Sequence, residues 1–558
     1  MSLVLLLAAL ALLCRAVECD LRVLHITDIH LDLDYEFGSS ALCARPPCCK
    51  GRANGGTKDG GSYGGEGTAG KLGSFKCDSP LSLLQSALSA AKSVKPDIVV
   101  WTRDTLPHLT GGTGSGLLRN ETKFGRTEAL RILGNASDTF ERSFAPYFRA
   151  QGGEDAGLRG KIFPVLGSGD FYPADTDPGP GRHDWLTSAL ADGKWGDWLG
   201  SQEARRTFAY GGFYKAPIQL SKDDTGLRAF VIGLNTEVCH VKNFHAFSTD
   251  LDAREQLEWL RLTLAELDAE GAKVVLCRGA VNLRESQKKI VSLTWRLLIP
   301  YSQAILIGHV PPGLWSGCWG EYSEAYEAIV SSYTNVVAAQ LYGHHHSGSF
   351  RVLRDQGGSN SRSEAKSAAS VAYVTPSLTP YKNQFPSFRV YNVALGSDTR
   401  SDSDGASDSG ESREGQEGES APPALPHPMV TSFTQYFLDL SKYASGPPPG
   451  GVISWYVSFT APQSLGIPDL RPETWHIVGE RILSNKTIRD DFVRLEANGR
   501  DDAFMGTKGQ VSATHIFPPL SPCLFADFWI LCFLAASHVS LRMPARLEFR
   551  SDVLLQAE

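Results

Sequence analysis

The chain has 558 residues, 42% hydrophobic and 21% charged, an ordinary balance for a globular protein with room for one large α/β core and appendages. Its formal charge of -7 comes almost wholly from residues 397–420, which hold eight acidic and two basic side chains. The remainder is nearly neutral, which excludes an electrostatic grip on nucleic acid.

Residues 1–19 begin with an apolar run to Leu13 followed by Cys14-Arg15-Ala16. That length suits a secretory signal peptide better than a membrane span, with an uncleaved anchor as the alternative. Glycosylation triplets at Asn120, Asn135 and Asn485 point to the same oxidising route. Cys43, Cys48, Cys49 and Cys77 are spaced too irregularly for a zinc ribbon and suit two disulfides, and Cys239 and Cys318 are a further candidate pair.

Leu21 to Thr27 reads as a buried strand ending at Asp28, and the Gly-rich stretch 51–70 as a surface loop. Ser79-Pro80 opens a helix that runs to about Val94. Strands follow at Asp97 to Trp101, leading to Asp104, and at Ile162 to Leu166, leading to Gly167. A helix from Glu255 to Glu270 precedes a strand at Lys273 to Leu276; Ala304 to Ile307 leads to His309, and Val336 to Leu341 to His344. Residues 273–276 and 304–307 each suit the same strand, so 277–303 reads as an insertion, genuine or a translated intron. Residues 396–428, acidic and Pro-rich, are expected to be disordered. Residues 429–505 read as a helical, aromatic region, and 506–558 as an unassigned tail. In that tail Cys523 to Ala536 is apolar but short, more a buried or amphipathic helix than a span.

The recurring unit is an apolar strand with a ligand-type residue just past its C-terminal end, where sites assemble in α/β sheets. Asp28 and His30 form D-x-H, Asp104 follows the second strand, His309 follows Gly308, and His344 and His346 lie in Gly343-His344-His345-His346. Any one of these is a weak signal. In order, each after a strand, they describe a two-cation centre: Asp28, His30 and His346 for one ion, His309 and His344 for the other, and Asp104 as the bridge. His345 alternates to the opposite side and is not expected to be a ligand.

D-x-H, Trp101-Thr102-x-Asp104 with His108, Gly308-His309-Val310-Pro311-Pro312-Gly313 and G-H-x-H together resemble the calcineurin-like metallophosphoesterases, and within them the acid sphingomyelinase group. Cys48-Cys49, Lys76-Cys77-Asp78-Ser79-Pro80, Gly211-Gly212-Phe213-Tyr214, Gln256 to Leu260, Pro376 to Tyr381 and Arg389-Val390-Tyr391 extend the likeness from about residue 20 to about residue 500. The resemblance implies an α/β metallophosphoesterase sandwich, two sheets flanked by helices over residues 20–395, with a smaller helical C-terminal region. It implies disulfides Cys43–Cys48, Cys49–Cys77 and Cys239–Cys318, and two zinc ions. His108 would protonate the leaving group and Tyr381 would line the substrate cleft. The implied activity is phosphodiester hydrolysis in a secreted, extracellular protein or a lysosome-like acidic compartment, on phospholipids such as sphingomyelin or on nucleotide derivatives. A phospholipid substrate would bring peripheral membrane contact. The likeness begins directly after the signal segment, so no saposin-like module is expected ahead of it.

Two departures qualify that expectation. The family's G-D is Arg103-Asp104 here, and Arg103 is expected either to pair with a substrate phosphate or to point away. The family's G-N-H-[DE] is Gly167-Ser168-Gly169-Asp170, so Ser168 replaces an Asn ligand and Gly169 a catalytic His. The second ion is therefore expected to be weakened, and a catalytically inactive homologue that keeps metal or ligand binding is the alternative.

Overall fold

The computed structural model describes residues 19–43, 46–50, 67–108, 125–152, 157–181, 185–220, 228–243, 245, 253–271, 275–280, 292–297, 302–313, 317–355, 367–395, 428–443 and 451–499. The signal segment, Asn120, nearly all of the Gly-rich and acidic segments and the tail lie outside them.

Two six-stranded mixed sheets carry the molecule. The first is built from β1 (Cys19–Ile26), β2 (Ile98–Trp101), β3 (Ile162–Pro164), β12 (Ser387–Leu395), β13 (Met429–Phe437) and β14 (Tyr456–Ala461), in the order β14-β13-β12-β1-β2-β3. The second uses β4 (Tyr214–Pro217), β5 (Arg228–Gly233), β8 (Ser302–Ile307), β9 (Val337–Tyr342), β10 (Ser349–Arg354) and β11 (Ala368–Val374), in the order β10-β11-β9-β8-β5-β4. β1, β2 and β3 pair in parallel, and so do β5, β8 and β9. Their carboxyl ends therefore gather at one edge of each sheet.

β8 and β9 are buried on both faces, which is why they read as unbroken apolar runs. Ile305 and Ile307 enter the core shared with the first sheet, whereas Ala304 and Leu306 alternate into a second core. That second core also takes Leu257, Leu260 and Leu264 from a helix at Ala253–Gly271 and Tyr322, Tyr326 and Val330 from one at Gly320–Ser331. A helix at Leu81–Ser93 and a longer one at Arg126–Gly152 bury Leu84, Leu88, Leu133 and Phe140 in the shared core. Each such fully buried side chain contributes roughly 1.5–3 kcal/mol.

The structure corrects the expectation for residues 429–505. Among the described residues of that range the α-helices are Pro472–Ser484 and Lys486–Glu496, while β13 and β14 extend the first sheet beyond β12. Of the two candidate strands before His309, residues 302–307 occupy the place between β5 and β9. β6 (Val275–Ala280) instead pairs with β7 (Ser292–Leu297) in a separate antiparallel sheet. The disulfides Cys43–Cys48, Cys49–Cys77 and Cys239–Cys318 are all formed. Among the described residues no helix is long and apolar enough to cross a membrane.

Candidate metal centre

The strand ends of both sheets meet in one buried cluster. β1 delivers Asp28 and His30, β2 delivers Asp104, β8 delivers His309, and β9 delivers His344 and His346. The β1 and β2 exits are stitched together by backbone hydrogen bonds from Asp28 N–H to the Arg103 carbonyl (2.8 Å) and from His30 N–H to the Asp104 carbonyl (3.0 Å). Asp28, His30, Arg103, His344 and His346 all have positive φ, between 43° and 74°. Each such residue costs on the order of 1–3 kcal/mol and persists only where its surroundings fix it. The loops are held for the geometry of their side chains.

Asp104 is the shared member. Its Oδ1 lies 3.3 Å from His309 Nε2, and its Oδ2 lies 3.9 Å from His30 Nε2. On the His309 side, His344 Nδ1 is 3.2 Å from His309 Nε2. On the His30 side, His30 Nε2 is 3.2 Å from His346 Nε2, and Asp28 Oδ1 is 3.5 Å from His346 Nε2. His30 Nδ1 lies 2.8 Å from the Leu106 carbonyl and His309 Nδ1 lies 2.7 Å from that of Thr102. A carbonyl can only accept, so both Nδ1 atoms carry the proton and both Nε2 atoms face inward. Asp28 Oδ2 accepts from the Thr27 hydroxyl and from the His344 N–H, while its Oδ1 is buried without a hydrogen-bond partner.

This donor set fits a pair of borderline divalent cations. Burial pushes Asp28 up to about 7, with Asp104 adding to the rise and His309 opposing it. Burial lowers His30 to about 3, helped by His108. Burial also works to raise Asp104, yet the surrounding imidazoles, His309 foremost, hold it well below the usual carboxylate range. His309 in turn is raised to about 10, because Asp104 outweighs the burial that would lower it. Without a metal, a proton on His309 is what balances Asp104, a role that a bound cation would take over.

His108 stacks on His30 with ring centroids 3.7 Å apart, and the Tyr381 ring lies 4.5 Å from it, tilted. Asp78 orients it, accepting from the His108 N–H at 2.8 Å and meeting Nδ1 at 2.6 Å. Burial opposes ionisation of Asp78, but His108 brings it below its ordinary value. Asp78 was legible only as part of a motif, since nothing in the sequence ties it to a histidine thirty residues later.

The third strand exit carries the departures. Ser168 is buried with its hydroxyl 3.5 Å from Asp104 Oδ2, and Gly169 places its N–H, not a side chain, 2.8 Å from Asp104 Oδ1. Arg103 was expected either to pair with a substrate phosphate or to point away. Its guanidinium is fully buried, 3.2 Å from Asp170 Oδ2 and 3.7 Å from the centre of the Trp195 ring. Asp170 also accepts from the N–H groups of Thr105 and Gly167, so the pair clamps the Asp104 loop to the 167–170 turn.

No family model matches the chain. It is similar to sphingomyelin phosphodiesterase B of Dictyostelium discoideum, 27% identical over 475 residues, covering 85% of this chain and 58% of that one. The human sphingomyelin phosphodiesterase is 28% identical over 487 residues, covering 86% and 60%. The human acid sphingomyelinase-like phosphodiesterase 3b is 26% identical over 475 residues, covering 83% and 80%. The chain thus spans about three fifths of the length of the first two. A dimetal phosphatase from Danio rerio superposes with a TM-score of 0.35 at 12% identity, covering 67% of this chain and 95% of that one. The resemblance expected from the motifs therefore holds over most of the chain.

Proposed function

We propose that the chain is a secreted or lysosomal, zinc-dependent phosphodiesterase of the sphingomyelinase kind. The observation that carries this reading is Asp104, whose two oxygens face two separate histidine groups with their ring nitrogens turned inward. Asp28, His30 and His346 would hold one zinc ion, His309, His344 and Ser168 the other, and Asp104 would bridge. Imidazole and carboxylate donors suit zinc. A bound pair supplies Lewis-acid polarisation of a phosphoryl oxygen and a nucleophile from water near neutral pH.

The protein's own share is to place and protonate. His108, held by Asp78 and flanked by Tyr381, is half-buried at the rim of the cluster and would give a proton to the leaving oxygen. Tyr381 would line the approach, and the buried walls would exclude bulk water from the reacting phosphate. Sphingomyelin and nucleotide phosphodiesters are the competing substrate classes; the names of the similar proteins favour the lipid. Glycans are proposed at Asn485, which is exposed, and at Asn135, which is half-buried on its helix.

A second reading, a catalytically silent relative, is favoured by one observation. Gly169 offers Asp104 a backbone N–H where a catalytic side chain would stand. Purified full-length protein with zinc, assayed on a chromogenic phosphodiester, decides between them. Turnover by the parent supports the enzyme. An inert parent with an active Ser168→Asn/Gly169→His variant establishes the silent relative. A Cβ at Gly169 would meet the Asp104 carboxyl at 3.2 Å, so that variant needs a shift of a few tenths of an ångström.

A further inference from the structure

A second group of metal-type side chains lies beside the first and shares no residue with it. β5 ends at Gly233, and the chain enters a short 3-10 turn, Thr236–Cys239, that carries Glu237 and delivers His240 at its end. The Asn235 side chain caps that turn by accepting the Glu237 N–H, and the Cys239–Cys318 disulfide fixes its far end. Asp175 reaches in from the loop after the 167–170 turn, its N–H bound to the Ser168 carbonyl at 3.1 Å. His240 Nδ1 is 3.2 Å from Glu237 Oε2 and 3.3 Å from Asp175 Oδ1.

Glu237 is fully buried and His240 is 2% exposed. Neither carboxylate oxygen of Glu237 and neither ring nitrogen of His240 makes a hydrogen bond of acceptable geometry. Four polar atoms left so in one place are unusual, because burying an unpaired carboxylate is expensive. The separations also exceed the roughly 2.7–2.9 Å of a charge-assisted hydrogen bond. They match the edge of about 3.4 Å between ligands each about 2.1 Å from a tetrahedral ion. Charge is compatible: with Asp175 and Glu237 ionised and His240 neutral, the three side chains carry two negative charges, which a divalent cation cancels.

We propose that Asp175, Glu237 and His240 form a third divalent-cation site, of zinc or manganese class, separate from the centre around Asp104. Three protein ligands leave one position for water. The ion ties the loop after Ser168 to the disulfide-bound turn, directly behind His344, whose ring stands edge-on to His240 at 5.0 Å between centroids.

The test is a count. Full-length protein stripped with a chelator is dialysed against zinc alone, and bound zinc per chain is measured for the parent and for Glu237→Gln/His240→Gln. The double variant is expected to bind one equivalent fewer; equal counts overturn the site. Should that variant fail to fold by circular dichroism, Asp175→Asn is read by competition with a chromophoric chelator. One equivalent is then expected to weaken by roughly tenfold or more, and an unchanged isotherm overturns the site. Asp28→Asn/His309→Gln must leave the Glu237-dependent equivalent in place, which separates this site from the centre around Asp104.

Discussion

His30 and His346 face each other through Nε2 atoms 3.2 Å apart, and only one of them can supply a proton between them. His30 has committed its proton to the Leu106 carbonyl, and the orphaned Oδ1 of Asp28 stands 3.5 Å from the same His346 nitrogen. A hydrogen bond satisfies two of these three atoms; a cation satisfies all three. Removing metal with a chelator is therefore expected to lower the melting temperature, and added zinc to restore it. Zinc at a hundred times its dissociation constant contributes about 2.7 kcal/mol to stability. A melting curve indifferent to both treatments would contradict the ligand assignment.

The His108–Asp78 contact predicts a split in kinetics. His108→Ala is expected to lower kcat by ~10²–10⁴-fold, the usual effect of losing a positioned proton donor. Asp78→Asn keeps the shape but removes the negative charge that faces Nδ1, so its loss of kcat is expected to be smaller, with KM nearly unchanged. A pH–rate profile checks this: a general acid shapes the alkaline limb, which should change in Asp78→Asn and vanish in His108→Ala.

Arg103 and Asp170 predict a stability effect of the kind a buried pair gives. Arg103→Met leaves the Asp170 carboxylate buried with two N–H donors and no counter-charge, which is expected to cost about 3–5 kcal/mol in urea unfolding. Arg103→Met/Asp170→Asn should recover a large part of that loss. A change within about 1 kcal/mol for Arg103→Met would mean that the Trp101 and Trp195 faces, not Asp170, hold the cation.

These residues show where the sequence was readable. Asp28, His30, Asp104, His309 and His344 could be placed because each closely follows an apolar run, and doubly buried parallel strands such as β8 leave that run unbroken. The direction of Arg103 could not be read, because a cation beside a ligand is compatible with either face until Trp195, 92 positions later, is packed against it. β13 was misread as helix for a local reason. Its buried residues Val430, Phe433 and Gln435 are spaced by three and then two, because the pairing with β12 shifts register between Asn392 and Val393. That bulge puts a helix-like step into a strand. Asp175, Glu237 and His240 carried no signal, since their nearness depends on the 167–170 turn and a disulfide spanning 79 residues.

His25 predicts a pH dependence free of catalysis. It is fully buried between the hydroxyls of Thr102 and Thr375, and burial, with Arg389 nearby, lowers it to about 3. The unfolded chain, with His near 6.5, takes up the proton first as pH falls. The stability this group contributes is thus complete above about pH 6.5 and drains away toward pH 3, at up to about 1.4 kcal/mol per pH unit. His25→Gln keeps a donor and an acceptor without titrating. Compared with the parent at constant zinc, its unfolding free energy should fall less steeply between pH 6.5 and 4.5; parallel slopes would refute the assignment.

Asp104 is placed to bridge two cations. Anomalous scattering at the zinc edge from crystals of the zinc-soaked protein would reveal both ions. Two peaks roughly 3.5–4 Å apart with the Asp104 carboxylate between them are expected, the one beside Ser168 weaker. A single peak, or none within bonding distance of Asp104, would rule that bridge out.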